Sequence, residues 1–134
     1  MPLFYRISAT DRLSPGKGWE IEDTIRFARI LHKQGIDVLD VSSGGNDRNE
    51  FPSVTIDYQI SLAARIKKEI PDILVSAVGS ITNGKRGNEI IKTGFADVVF
   101  IGRAFLQNQS VVGLFAQHLD SEGKIPLQYT ISAK

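Results

Sequence analysis

The 134-residue chain contains no cysteine, which excludes disulfides, thiolate catalysis and cysteine-based metal sites. Charge of neither sign dominates. Sixteen Lys and Arg against fifteen Asp and Glu leave a net charge of +1, so nothing points to nucleic acid or an anionic membrane as partner. No apolar run approaches the ~20 residues that span a bilayer. The N-terminal Met1-Pro2-Leu3-Phe4-Tyr5-Arg6 lacks the basic-then-apolar order of a signal peptide. A soluble cytoplasmic protein is therefore expected. Histidine is scarce as well: His32 and His118 are the only two. Each falls in the last turn of an expected helix, where a cation suits the macrodipole, and both read as structural. No residue is assigned a catalytic or metal-binding role.

What is present is ordinary for a globular domain. Hydrophobic residues make up 42% and charged residues 23%, enough for one domain with a real core. Strand-like and helix-like segments alternate. Leu3 to Ala9 reads as a strand, Thr10 to Trp19 as a turn-rich loop, and Glu20 to Gln34 as a helix closed by Gly35. Ile36 to Val41 is the second strand. Ser42-Ser43-Gly44-Gly45-Asn46-Asp47 follows it, either as a ligand-facing loop or as a simple turn. This connection runs long against the usual 2–6 residues. Ile56 to Ile70 is the next helix. Ile73 to Val78, Asn83 to Thr93 and Asp97 to Ile101 give strand, helix and strand. Val111 to Leu119 is a final helix, and a polar tail begins near Ser121.

The chain is organised around Leu74 to Arg103. Two apolar runs there end in glycine, Gly79 and Gly102, with a helix-length segment between them. Apolar runs without polar alternation suit parallel strands covered on both faces. A glycine at the strand's C-terminal end lets the backbone approach a ligand closely, and a following helix offers free N–H groups to an anion. The pair forms a plausible phosphate cup of the kind found after the last two strands of a barrel. Lys85 and Arg86, in a helix's first turn, oppose its dipole; a nearby anion or plain solvation would each account for them. Arg6 is the anomaly of the first strand, read either as an edge arginine with its head in solvent or as a cation aimed into a site.

Four strand–helix units predict an α/β fold with a parallel sheet. Spacing alone leaves open a part of a (β/α)8 barrel, which in full takes about 250 residues, or a small doubly wound sheet.

Four segments in order narrow the choice. They are Leu3-Phe4-Tyr5-Arg6-Ile7-Ser8-Ala9, Gly35 to Gly44 (Gly-Ile-Asp-Val-Leu-Asp-Val-Ser-Ser-Gly), Ala77-Val78-Gly79-Ser80-Ile81-Thr82, and Ala96 to Arg103 (Ala-Asp-Val-Val-Phe-Ile-Gly-Arg). Together they resemble the Old Yellow Enzyme family of FMN-dependent oxidoreductases, closest to its thermophilic-like ene-reductase branch. The resemblance runs from Leu3 to about Tyr129. It implies four βα units of a TIM barrel, strands five to eight, and chemistry in which hydride passes from NAD(P)H through FMN to an electron-poor alkene or similar small-molecule acceptor. It implies that Arg6 lies beside the flavin ring and tunes it electrostatically. Gly79 with Ser80, and Gly102 with Arg103, would hold the phosphate, and Ser43 with Gly44 would lie near the flavin. Tyr58 and Gln59 match a Tyr-Gln pair of the family without an assigned role.

The departures are equally specific. Strands one to four, which carry the family's substrate-binding and proton-donating groups, have no counterpart here. The family's tail arginine, which reaches a neighbouring subunit, is replaced by Ile131. A catalytically inactive half-barrel that binds FMN or another phosphate ligand weakly, or not at all, is the alternative. Open edges and an apolar interior predict a homo-oligomer or other association.

Overall fold

Every strand of the sheet runs the same way. In the computed structural model, which describes residues 1–50, 57–121 and 123, the strands are β1 (Phe4–Ser8), β2 (Val38–Ser42), β3 (Leu74–Val78) and β4 (Val98–Phe100). Their order is β1-β2-β3-β4 and each adjacent pair is parallel. Helices α1 (Ile21–Lys33), α2 (Tyr58–Glu69) and α3 (Gly84–Lys92) make the crossovers, and α4 (Arg103–Gln107) and α5 (Val111–Gln117) follow β4. Strand order follows chain order without a reversal, so the switch point that defines a doubly wound sheet is absent among the described strands. The architecture is α/β, consistent with part of a (β/α)8 barrel.

The strands and the longer helices fall where hydrophobic periodicity puts them, within one or two residues at each end. Helix α1 begins at a reciprocal cap: the Glu20 side chain accepts from the backbone of Asp23, and Asp23 accepts from the Glu20 N–H at 2.9 Å. Its end is released by Gly35 at φ +88°, a conformation that favours glycine. Asn83 caps α3 by accepting from the Arg86 N–H at 2.9 Å. Helix α4 was not expected. Five residues between Gly102 and Asn108 are too few to show a period.

Alternation along the strands separates two environments. Leu39, Val41, Val75 and Ala77 point one way and are completely buried. Ile25 and Ala28 of α1, Ile60, Ala63 and Ile66 of α2 and Ile90 of α3 belong to the same core, with Ile7 and Val99 against it. Phe4, Arg6, Val38, Asp40, Leu74, Ser76 and Phe100 share the other face. Phe4 is 50% and Leu74 46% exposed. That face is concave. Phe4 on one outer strand and Phe100 on the other stack with centroids 6.0 Å apart, whereas three flat strand spacings would separate the strands by about 14 Å.

Of the polar tail from Ser121, residues 122 and 124–134, Ile131 among them, lie outside the described residues. Where α3 meets α5, there is no room for a side chain. A Cβ built on Gly84 would stand 2.2 Å from the Phe115 carbonyl oxygen, and the Gly84 N–H donates to His118 Nδ1 at 3.3 Å. His118, stacked 6.0 Å from Phe115, is thus a packing residue. Gly84→Ala is expected to force the two helices apart and cost roughly 1–3 kcal/mol, more than the gain in helix propensity returns. Thermal unfolding checks this; an unchanged Tm would contradict the close approach.

Candidate functional site

Because all strands are parallel, their C-terminal ends and the loops that leave them share one rim. A cavity of about 580 Å³ opens there. Arg6, Gly79, Ser80, Gly102 and Arg103 all line it, together with Gln59. Five of the six expected site residues, one from within β1 and the others from the segments after β3 and β4, are therefore gathered at one place. Ser43 is not among the lining residues; its neighbour Ser42 is.

Arg6 stands on the concave face and is held there. Its Nε donates to Oδ2 of Asp40, and Oδ1 of the same carboxylate accepts from Ser76 Oγ at 2.6 Å. The three residues are paired across β1, β2 and β3. Asp40 is 3% exposed. Neither Asp40 nor Ser76 was singled out from sequence. The available signal was a carboxylate in the middle of an otherwise apolar strand, which needs a partner when buried.

Gln59, left without a role by sequence, joins two of the loops. Its Oε1 accepts from the Ser43 N–H at 3.0 Å, and its Nε2 donates to the Val78 carbonyl at 2.7 Å. This ties Ser43 to a residue that lines the cavity. The same amide explains Gly79. A Cβ there would meet Gln59 Nε2 at 2.3 Å, and the residue sits at φ +113°. Ser80 follows at φ +54°, so the backbone turns sharply at the cavity edge. Tyr58 receives the Arg12 guanidinium over its ring, 4.9 Å from the centroid. This ties the loop after β1 to the start of α2.

Asp11 braces the same loop. Its Oδ2 accepts from the Trp19 N–H and its Oδ1 from Asn46 Nδ2, both at 2.8 Å. These bonds, the Trp19 N–H foremost, lower its pKa below the usual carboxylate value. Arg86 does not face the cavity's lining. Its Nη2 pairs with Asp57 at 2.6 Å and its Nη1 with Glu89 at 2.6 Å. Glu89 and then Asp57 raise its pKa. Protein carboxylates, rather than a bound anion, answer this first-turn cation.

Gly102 differs from Gly79. A Cβ on it would meet nothing within 4 Å, so protein packing does not demand glycine there. The N–H groups of Gly79, Ser80, Gly102 and Arg103 make no hydrogen bond to another described residue, and Arg103 forms no ion pair among them. The rim thus carries donors and one cation with spare capacity beside open space. No group of metal-ligating side chains occurs among the described residues, and no described helix is long and apolar enough to cross a membrane.

Residues 1–122 match the NADH:flavin oxidoreductase / NADH oxidase family, and the chain belongs to it, as the resemblance to Old Yellow Enzyme implied. Among individual relatives, it is 40% identical over 131 residues to an NADPH dehydrogenase of Bacillus subtilis, covering 96% of this chain and 37% of that protein. It is 38% identical over 144 residues to an NADH:flavin oxidoreductase of Gibberella zeae, covering 99% and 35%. A Geobacillus NADPH dehydrogenase is 37% identical over 128 residues, covering 96% and 36%. The chain therefore spans little more than a third of the length of these curated relatives.

Replacing Gln59 with Leu keeps the bulk but strands the Ser43 N–H and the Val78 carbonyl. A loss of about 1–3 kcal/mol is expected, with faster amide exchange at Ser43. Denaturant unfolding and hydrogen exchange test this; unchanged protection at Ser43 would show that Gln59 does not join the loops.

Proposed function

We propose that this chain is the FMN-holding part of an NAD(P)H-dependent flavin oxidoreductase, with β1 to β4 in the places of barrel strands five to eight. The observation that carries the reading is the convergence of Arg6, Gly79, Ser80, Gly102 and Arg103 on one cavity at the strands' C-terminal rim. The residues fit the cofactor chemically. Gly102 leaves space that packing does not require, and the adjacent N–H groups and Arg103 have donors to spend on an anion. Such donors suit a phosphate monoester. Arg6, fixed on the concave face, suits the electron-rich edge of a flavin ring. Ser43, bonded to Gln59 beside the cavity, belongs to the loop that would lie near the ring.

Bound FMN would supply hydride chemistry between a nicotinamide and an electron-poor acceptor. The chain's own part is to bind the phosphate, orient the ring and place a cation at its edge. The names of the relatives favour NADPH as reductant. An electron-poor alkene is the acceptor class that the family implies. The residues gathered at the rim suit cofactor binding, and that is the contribution proposed for this chain.

Titration of FMN into the purified chain, followed by quenching of flavin fluorescence, tests the reading. Saturable binding is expected, weakened about tenfold or more in Arg103→Ala, the scale of one charge-assisted hydrogen bond. Absence of saturable binding would establish the alternative, a half-barrel inactive by itself.

The same face predicts association. Among the described residues no further strand pairs with the outer strands β1 and β4, and Phe4, Leu74, Phe105 and Leu106 expose apolar surface. Such edges and patches recruit another chain. Sedimentation is expected to show a dimer or larger species; a monomer at micromolar concentration would contradict it.

A further inference from the structure

Strand β2 carries one carboxylate on the concave face, and both of its oxygens are engaged. Ser76 donates to Oδ1 and Arg6 Nε to Oδ2. The ladder aligns the three residues laterally, so the sheet's own spacing of ~4.8 Å sets their separation. The pair is asymmetric: the Arg6 side chain is 59% exposed and that of Asp40 only 4%. Burying a carboxylate is costly, and an apolar residue would serve the interior better. The arrangement does one thing an apolar residue cannot. It commits Nε of Arg6 to the sheet. The terminal Nη groups make no hydrogen bond to a described residue, and the residue lines the cavity.

We infer that Asp40, backed by Ser76, is a positioning residue that locks Arg6 with its Nη donors turned to the cavity and offsets its charge. The two arginines then offer different things. Arg103 has no carboxylate partner among the described residues and suits an anionic group. Arg6 is neutralised and fixed, and suits an uncharged planar edge rich in acceptors. The cavity is polarised accordingly, and a ligand bearing both groups is admitted in one direction. The identity of that ligand rests on the flavin reading; the locking of Arg6 does not.

The test uses the whole chain. Nitrogen-15 NMR follows the Arg6 Nε–H, assigned by its disappearance in Arg6→Met. In the unaltered protein this proton is expected to exchange slowly. In Asp40→Leu, which removes a buried charge and leaves Arg6 free to enter solvent, its exchange should quicken at least tenfold. Asp40→Asn, which keeps shape and a neutral acceptor, should fall between and decides the matter if the leucine variant fails to fold. Fluorescence titration then gives a cycle. FMN affinity should drop about tenfold in Asp40→Leu and should not drop further when Asp40→Leu is added to Arg6→Met. Unchanged Nε–H exchange in a folded variant, or additive losses in the cycle, would overturn the proposal. If the unaltered chain takes up no FMN, the flavin reading fails, and Nε–H exchange alone decides whether Asp40 locks Arg6.

Discussion

Parallel pairing is the constraint on which the rest of the molecule depends. Once β1 to β4 run the same way, each must be joined to the next by a crossover that returns to the starting edge. Helices α1, α2 and α3 make those returns, and their apolar sides need the sheet as much as the sheet needs them. The consequence for function is geometric. Residues as far apart in the chain as Arg6 and Arg103 leave their strands at one rim and share a cavity. Strands of mixed direction would have divided the same residues between the two ends.

Covering one face of the sheet leaves the other to be explained. The helix-covered face is uniformly apolar, as a buried parallel strand should be. The concave face carries a carboxylate, a hydroxyl and a guanidinium in lateral register. A sheet selected for stability alone has no use for a buried carboxylate. Its position beside the rim, and the exposure of the arginine it holds, connect it with the cavity rather than with the core. Gln59 does comparable work one layer up, binding the loops after β2 and β3 into a single wall. Glycine at position 79 is favoured by its φ of +113°, with the Gln59 amide against it, whereas Gly102 faces open space. Two glycines in similar sequence contexts are therefore kept for different reasons.

Much of this was legible before any coordinates. Strand and helix positions follow from apolar runs and helical spacing, because the parallel strands are buried and the helices are amphipathic. The rim glycines were legible because they end apolar runs. Curvature was not. Nothing in the spacing of Phe4 and Phe100 reveals that residues on opposite outer strands stack. Nor does local sequence reveal that Gly84 lies against the carbonyl of Phe115, 31 positions on. Asp40 was hidden for a similar reason: its partners lie 34 and 36 positions away, so only strand register brings them together. The resemblance puts Ser43 near the site; it is bonded to Gln59, which lines the cavity, but does not line it itself. Short helix α4 lacked the length to show a pattern.

The concave face also changes character along the strands. Phe4, Val38 and Leu74 form its lowest lateral row, Arg6, Asp40 and Ser76 the next, and Ser8 and Ser42 stand above them. The row farthest from the rim is apolar, and the rows nearer the rim are polar on β1 and β2 but apolar on β4, where Val98 and Phe100 stand. A barrel interior filled in layers has this division of labour, with stability at the bottom and chemistry at the top. The polar side chains there have partners: Arg6 and Ser76 bond Asp40, Ser8 donates to the Gly44 carbonyl and Ser42 to the Ile7 carbonyl. The apolar row is not covered, because Phe4 and Leu74 remain about half exposed. Exposed apolar surface is found at the rim too, where Phe105 and Leu106 of α4 follow Arg103, so a covering chain has apolar surface to bury at both ends of the strands.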